Sequence, residues 1–308
     1  MLTTILFFGL AHQENKTGKH LPIRSQKIFL LLFVRIGFCL LLSVKITTTF
    51  TSMKAFKILM FCTLALLIIP AVYAFKNKAN QNKIPQNGFA VVELFTSEGC
   101  SSCPPADELV AKILKEDSTK PIYILSYHVD YWNHLGWKDE FSKAQYSDRQ
   151  RRYAQWLKLS QIYTPQIVVN GTTEFVGSNE QALRGATQMA FKKTNNLMPV
   201  LSNVHFTATG LSLQYPAMAG AANCSLLIAF VQNSAQTNVK SGENGGHILN
   251  HVNIVRSLNT ISIRNQGGPQ TVELPAGFNA KTWQVVAFVQ NNSTGQILSA
   301  QNIVSSVV

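Results

Sequence analysis

Two cysteines separated by two serines, in Cys100-Ser101-Ser102-Cys103-Pro104-Pro105, carry the strongest chemical signal in this 308-residue chain. Thiols at that spacing can close a disulfide, exchange it with another thiol pair, or hold a soft metal ion. A structural zinc site needs a second Cys/His pair at close spacing, and none follows. Haem attachment needs a histidine directly after the second cysteine, where Pro104 stands. Three readings therefore stay open: a redox-active dithiol, a copper(I) site formed by Cys100, Cys103 and His128, and an inert structural bridge.

The elements around the pair say how it is held. Residues 89–95 form an apolar run that predicts a buried strand, and 96–99 form a turn. From Cys103 onward Leu109, Val110, Ile113 and Leu114 recur at helical spacing. Asp107 and Glu108 fall early and Lys112 and Lys115 late, matching the helix dipole. The prolines sit in the first turn, where a missing N–H costs little. Such a helix start favours a thiolate, but Glu98, Asp107 and Glu108 oppose it, so the predicted effect is moderate.

Residues 122–129 predict a second strand, parallel to the first across a right-handed crossover. Asp139 is expected to cap a helix over 140–159, and Thr164-Pro165 precedes a third strand at 166–169. Asn170-Gly171 signals a hairpin to a strand at 173–176. Ser178 or Asn179 then caps a last helix ending near Asn195. His128 and Asp130 share a face if the second strand continues, and Trp132 and Trp137 are expected to line the rim as substrate-binding residues. Their alternative is a strand-end histidine and a loop-capping aspartate. Arg149, Arg151 and Arg152, interleaved with Tyr153 and Trp156, read as a solvated basic face over an aromatic core face rather than a groove for acidic peptides.

The order strand, CxxC, helix, strand, helix, Thr-Pro, strand, hairpin, helix resembles thioredoxin. The phrase from Glu93 to Asp107 (ELFTSEGCSSCPPAD), with His128-Val-Asp-Tyr-Trp132, Leu135-Gly-Trp-Lys-Asp139 and Tyr163-Thr-Pro-Gln166, is similar to a family of secreted thioredoxin-like proteins without an established function. Gly242-Glu-Asn-Gly245 and the segment 247–256 extend that resemblance through residues 88–308. It implies that Cys100 is the exposed attacking thiol and Cys103 the resolving one. It further implies that Pro165 is a cis-proline presenting Thr164 to an extended peptide, and that Glu93 stands near a buried proton-relaying acid. The Glu93-to-Cys100 spacing differs by a residue from the thioredoxin pattern, and Gly99 replaces the usual flanking tryptophan.

After Pro199 the pattern changes to short strands punctuated by Gly210, Gly242, Gly245-Gly246, Gly267-Gly268-Pro269 and Asn291-Asn292. The expected fold class is thus an α/β thioredoxin-like domain over 88–196 followed by an all-β, sandwich-like domain over 197–308. Cys224 is expected to be a buried apolar residue, and His205, His247 and His251 to be structural or exposed.

Eight of the 27 Lys/Arg lie in residues 1–74 against the single Glu14, so seven of the twelve net positive charges belong to that region. Met53, Lys54 and Lys57, an apolar run over 58–69, Pro70 and Val72-Tyr73-Ala74 read as a signal peptide over 53–74. Residues 75–87 read as a linker. Residues 1–52 are either a hydrophobic anchor built on 28–44, with possible membrane attachment, or an upstream extension before the true start at Met53. An extracytoplasmic protein, periplasmic or secreted, is expected.

No Walker A, GxGxxG or GxSxG motif is present, which disfavours phosphate-loop, dinucleotide and serine-hydrolase chemistry. No basic-aromatic array marks a nucleic-acid binder. The expected function is thiol–disulfide oxidoreduction on extracytoplasmic protein thiols and disulfides, with no cofactor. The alternative is a copper(I)- or protein-binding module without turnover.

Overall fold

The computed structural model describes residues 88–117, 119–193, 201–207, 210–218, 223–263 and 266–303. The expected signal peptide, linker and upstream extension, and the boundary at Pro199, lie outside the described residues. No helix among the described residues is long and apolar enough to cross a membrane.

Strand β1 (Ala90–Thr96) leads through the CxxC turn into helix α1 (Pro104–Glu116) and parallel strand β2 (Ile122–His128). A short 3-10 turn (Asn133–Leu135) precedes α2 (Ala144–Leu157). Next come β3 (Gln166–Val169), β4 (Thr173–Val176) and α3 (Glu180–Lys192). The rest is strand: β5 (Ser202–Phe206), β6 (Gly210–Tyr215), β7 (Cys224–Asn238), β8 (Ile248–Ser262), β9 (Gly268–Glu273), β10 (Trp283–Asn291) and β11 (Ile297–Ile303).

These strands do not divide into the two domains that the sequence predicts. They form one mixed eight-stranded sheet in the order β11-β10-β7-β8-β2-β1-β3-β4, plus a three-stranded sheet β5-β6-β9. Among the described residues the chain is mostly β with three α-helices, not a thioredoxin-like α/β domain followed by a separate all-β domain. The joint is β2 against β8, parallel, with Ser126 opposite Ile254. The Ser126 hydroxyl also donates to the Val252 carbonyl at 2.8 Å. Asn253, in the left-handed region at φ 50°, bends β8 at this joint.

One face of the large sheet is a continuous core across both sequence halves. Val91, Phe95, Leu125 and Tyr127 pack with Leu227, Val255, Val286 and Phe288 beneath α2. The sheet curls over that helix until the turn after β3 meets the turn before β11, where the Ile297 N–H donates to the Asn170 carbonyl at 2.9 Å. Gly171 lies so close to Gly295 that a Cβ would sit 1.9 Å from its carbonyl oxygen, and its φ of +69° adds a second reason for glycine. The opposite face is shared: α1 and α3 cover β1–β4, and the small sheet covers β7, β10 and β11. Helix α1 buries Ala106, Leu109, Val110 and Ile113 at i, i+3, i+4, i+7; Leu109, Val110 and Ile113 belong to the periodic set that the sequence predicts, and Leu114, the fourth of that set, is partly buried.

Helix α2 differs from the sequence expectation in two ways. It starts at Ala144 after Lys143, so Asp139 does not cap it. Its core-facing stripe is Tyr146, Arg149, Gln150 and Tyr153, so Arg149 is not part of a solvated basic face. Arg149 is 1% exposed and forks onto the fully buried Glu93 of β1, Nε to Oε1 at 2.7 Å and Nη2 to Oε2 at 3.0 Å. Gln290 of β10 accepts from Nη1 at 3.1 Å, and the Tyr153 hydroxyl also donates to Glu93.

A buried bidentate pair tolerates loss of one partner poorly, because the other is left charged and desolvated. Arg149→Met is therefore expected to lower unfolding stability by about 3–5 kcal/mol, measured by urea denaturation, whereas Arg152→Met on the exposed face stays within about 0.5 kcal/mol.

Candidate functional site

Cys100 and Cys103 stand as a disulfide at the junction of β1 and α1, with Cα atoms 5.4 Å apart. Cys103 occupies the helix N-cap without a side-chain cap bond. Pro104 and Pro105 remove two of the amide donors that a helix start offers, and the amides of Ala106 and Asp107 turn back to the Cys103 carbonyl. The electropositive helix tip thus acts on the sulfurs through its dipole rather than through N–H groups aimed at them.

Several sequence-predicted residues converge here. Cys100 Sγ lies 3.3 Å from the Ser102 hydroxyl, which reaches the Thr164 carbonyl at 3.5 Å. The Thr164–Pro165 peptide bond is cis. Trp132 donates its indole N–H to Thr164 Oγ1 at 2.8 Å and passes beside Gly99, where a Cβ would stand 3.1 Å from its own. Gly177 lets the end of β4 pass Pro165, since a Cβ there would lie 3.0 Å from the proline Cβ.

Other expectations come out differently. Cys100 is 0% exposed and Cys103 1%, while Ser101 and Ser102 between them are open to solvent. Glu93 points to the α2 face with Arg149 and is not brought to the disulfide. Trp137 is half-buried, and its indole N–H donates to Glu98 Oε2 at 2.7 Å.

The second half of the chain also reaches the CxxC turn. Beyond the sheet, β7 and β8 continue as a two-stranded ribbon pairing 234–238 with 248–252. Its connecting loop straps the CxxC turn. Asn244 Nδ2 donates to the carbonyls of Glu98 and Cys100 at 2.9 and 3.0 Å, and Glu243 accepts from the Ser101 N–H at 2.9 Å. That contact with Ser101 holds the Glu243 carboxyl below its ordinary pKa. Ser241 donates to the Gly136 carbonyl at 2.5 Å. Gly242, at φ +78°, passes Trp137 closely: a Cβ there would lie 3.3 Å from the Trp137 Cβ.

Beneath the turn lies a buried cluster of two histidines and three carboxylates. His128 Nδ1 meets Asp139 Oδ2 at 2.6 Å, and the same carboxylate accepts from the amides of Glu98 and Phe141, both at 2.9 Å. The His128 and His251 rings meet edge to face with centroids 4.9 Å apart. His251 Nε2 lies 3.3 Å from Glu98 Oε1, and Asp107 Oδ2 accepts from the Thr96 hydroxyl at 2.9 Å. Burial pushes Asp107 above the usual carboxylate range, against the opposing pull of His128 and His251. Burial also works against a charged His128, yet Asp139 outweighs it and holds the imidazole above its ordinary 6.5. Asp139, despite its burial, is held low by that histidine and by the two amides.

Sequence reasoning missed this cluster, treating His251 as scattered and Asp139 as a helix cap. The signals that could have found it were Glu98, Asp107 and His128, three titratable residues in the predicted turn, helix and strand around the cysteines. Among the described residues no group of three or more His, Cys, Asp or Glu is placed to hold a metal. His128 keeps Nδ1 on Asp139 and leaves Nε2 without a hydrogen-bond partner.

The profile of a family described as "Protein of unknown function (DUF1223)" matches residues 91–290. Among solved structures, the chain is similar to the crystal structure of a protein from Agrobacterium tumefaciens, at 29% identity and a TM-score of 0.56, covering 72% of this chain and 97% of that one. It is also similar to HBP35 of Porphyromonas gingivalis, at 18% identity and a TM-score of 0.48, covering 72% and 76%. No curated protein matches it.

A raised histidine pKa contributes stability that is full below the unfolded value and fades as pH rises through the folded one. For His128 that loss begins above its unfolded value of 6.5. Asp139 works oppositely: its contribution holds above 3.8 and fails as pH falls through its lowered folded value. The melting temperature is expected to decline as pH rises above 6.5, and His128→Gln to flatten that decline in calorimetric scans.

Proposed function

This chain belongs to the DUF1223 family, and from that premise and the site just described we propose that it is a thiol–disulfide oxidoreductase acting on extracytoplasmic protein thiols and disulfides. The observation that carries the reading is the pairing of Cys100 with Cys103 at a helix start, beside Ser102, Thr164 and Trp132. The basic, apolar and small-residue pattern of 53–74 supports the extracytoplasmic setting.

In the oxidised chain a substrate thiolate attacks one sulfur of the pair. Attack on Cys100 forms a substrate–Cys100 disulfide, and the Cys100–Cys103 bond breaks to release Cys103 as a thiolate that takes a proton. A second substrate thiolate then attacks the substrate sulfur of the mixed disulfide. The substrate leaves oxidised, and Cys100 takes a proton in turn. Two electrons and two protons thereby reach the dithiol. Run in reverse, the reduced pair cleaves a substrate disulfide, with Cys103 attacking Cys100 to release the product.

Cys100 is favoured as the entry point because it adjoins the exposed Ser101-Ser102 edge, whereas Cys103 begins the buried face of α1. Entry also requires the Asn244 strap to lift, since Cys100 is closed over in the oxidised chain. Thr164 and Trp132 flank the approach and supply polar groups for a peptide beside Pro165.

Both single cysteine variants are expected to lose catalysed insulin reduction, falling to the uncatalysed rate. Cys103→Ser should in addition accumulate mixed disulfides that dithiothreitol releases, visible on non-reducing gels, and Cys100→Ser should not. Full turnover in Cys100→Ser would end the proposal.

A further inference from the structure

The cluster below the disulfide contains buried polar atoms that its internal bonds leave unused. Asp107 Oδ1, His128 Nε2 and His251 Nδ1 have no hydrogen-bond partner, and Glu98 Oε1 and His251 Nε2 face each other across 3.3 Å. Buried polar atoms are almost always hydrogen-bonded in folded proteins, so the concentration of unbonded ones in one place is unlike ordinary core polarity. The remaining polar atoms of three of these residues are fixed: Glu98 Oε2 by Trp137, Asp107 Oδ2 by Thr96, and His128 Nδ1 by Asp139.

Asp107 follows Cys103 by one helical turn and so shares its face of α1. A cleft of about 60 Å³ between α1 and the start of β8 is lined by Ser97, Asp107, Glu108 and His251. Asp107 and His251 therefore touch the cluster on one side and the cleft on the other.

We infer that Asp107 and His251, backed by His128, form the proton-transfer path between Cys103 and solvent. The inference rests on the thiol–disulfide reading above and supplies what that chemistry lacks. Cys103 is 1% exposed, so its proton cannot pass directly to bulk water. When the dithiol cleaves a partner disulfide, the Cys103 S–H gives its proton to the Asp107 carboxylate. The Cys103 thiolate then attacks Cys100 of the mixed disulfide. The Cys100–Cys103 bond forms, the Cys100–substrate bond breaks, and the substrate sulfur departs with the electron pair and takes a proton from water. Asp107 returns to its starting state by passing the proton to His251, which faces the cleft. Oxidation of a substrate dithiol runs the same path inward.

The groups facing Asp107 suit it to this exchange: Thr96 from β1, His128 from β2, His251 from β8 and Asp139 from the loop. Burial raises its proton affinity, and the histidines temper the rise. Glu98 stands behind His251.

Two measurements on the full chain test the path. The first follows the His128 ring by NMR through a pH titration of the oxidised chain and of the chain reduced by a phosphine. Linking the cluster to a newly titrating thiol should move the midpoint by about one unit, as coupled sites do. The second follows decay of the Cys100–glutathione mixed disulfide. In Asp107→Asn the decay should slow and become first order in hydroxide, rising about tenfold per pH unit as the thiolate fraction of an unassisted thiol does. The native chain should show a shallower profile, and His251→Gln an intermediate one. An unmoved His128 midpoint, or the native profile in Asp107→Asn, overturns the proton path and leaves the exchange reading intact. If no mixed disulfide forms in the native chain, the exchange reading falls, and the His128 titration alone decides whether the cluster senses the sulfurs.

Discussion

Strand β8 meets β2 through a short parallel seam, with Ser126 opposite Ile254 and its hydroxyl on the Val252 carbonyl, and the chemistry of the site depends on that meeting. The seam places His251, from the second half of the chain, edge-on to His128 from the first. It also aims the β7–β8 ribbon back across the cysteines, so that Asn244 can hold the carbonyls on either side of Gly99. The Tyr146 hydroxyl of α2 donates to the Val255 carbonyl at 2.8 Å and pins the seam from the other face. A separate β domain tethered by a linker would supply neither histidine nor strap with fixed geometry.

Two buried ionic systems lie on opposite faces of the same strands, and they differ in kind. On the α2 face, Glu93, Arg149, Tyr153 and Gln290 use their polar atoms on one another, which is how a charged pair is held without water. On the α1 face, the histidines and carboxylates are only half used. Strand alternation decides which acid joins which system: Glu93 points to one side of β1 and Thr96, the Asp107 partner, to the other. The buried acid one helical turn beyond Cys103 is Asp107, carried by α1, whereas Glu93, the strand acid that the resemblance implied, faces α2.

Local elements were largely legible in the sequence, because their signals are local. The strand at 166–169, the Asn170-Gly171 turn with both residues at positive φ, and the Asn179 cap, whose side chain accepts from the Ala182 N–H, follow from alternation, turn chemistry and capping. The CxxC turn and its helix were likewise visible. Partnership was not. Nothing in the periodicity of 248–262 says that it pairs with 122–128 as well as with 224–238, so the continuous sheet was read as two domains. The segment 232–238 is polar and poor in β-branched residues; pairing with β8 makes it a strand where propensity does not. Arg149 misled for a related reason, since a basic helix residue reads as solvated until its buried partner, 56 positions away, is known.

The strap has a consequence for biosynthesis. Asn244 lies 144 residues beyond Cys100, so a chain growing from its amino end holds the CxxC turn without this strap until much of the β7–β8 hairpin has been made. Closure of the hairpin is thus also the moment at which access to the pair comes under the control of the fold.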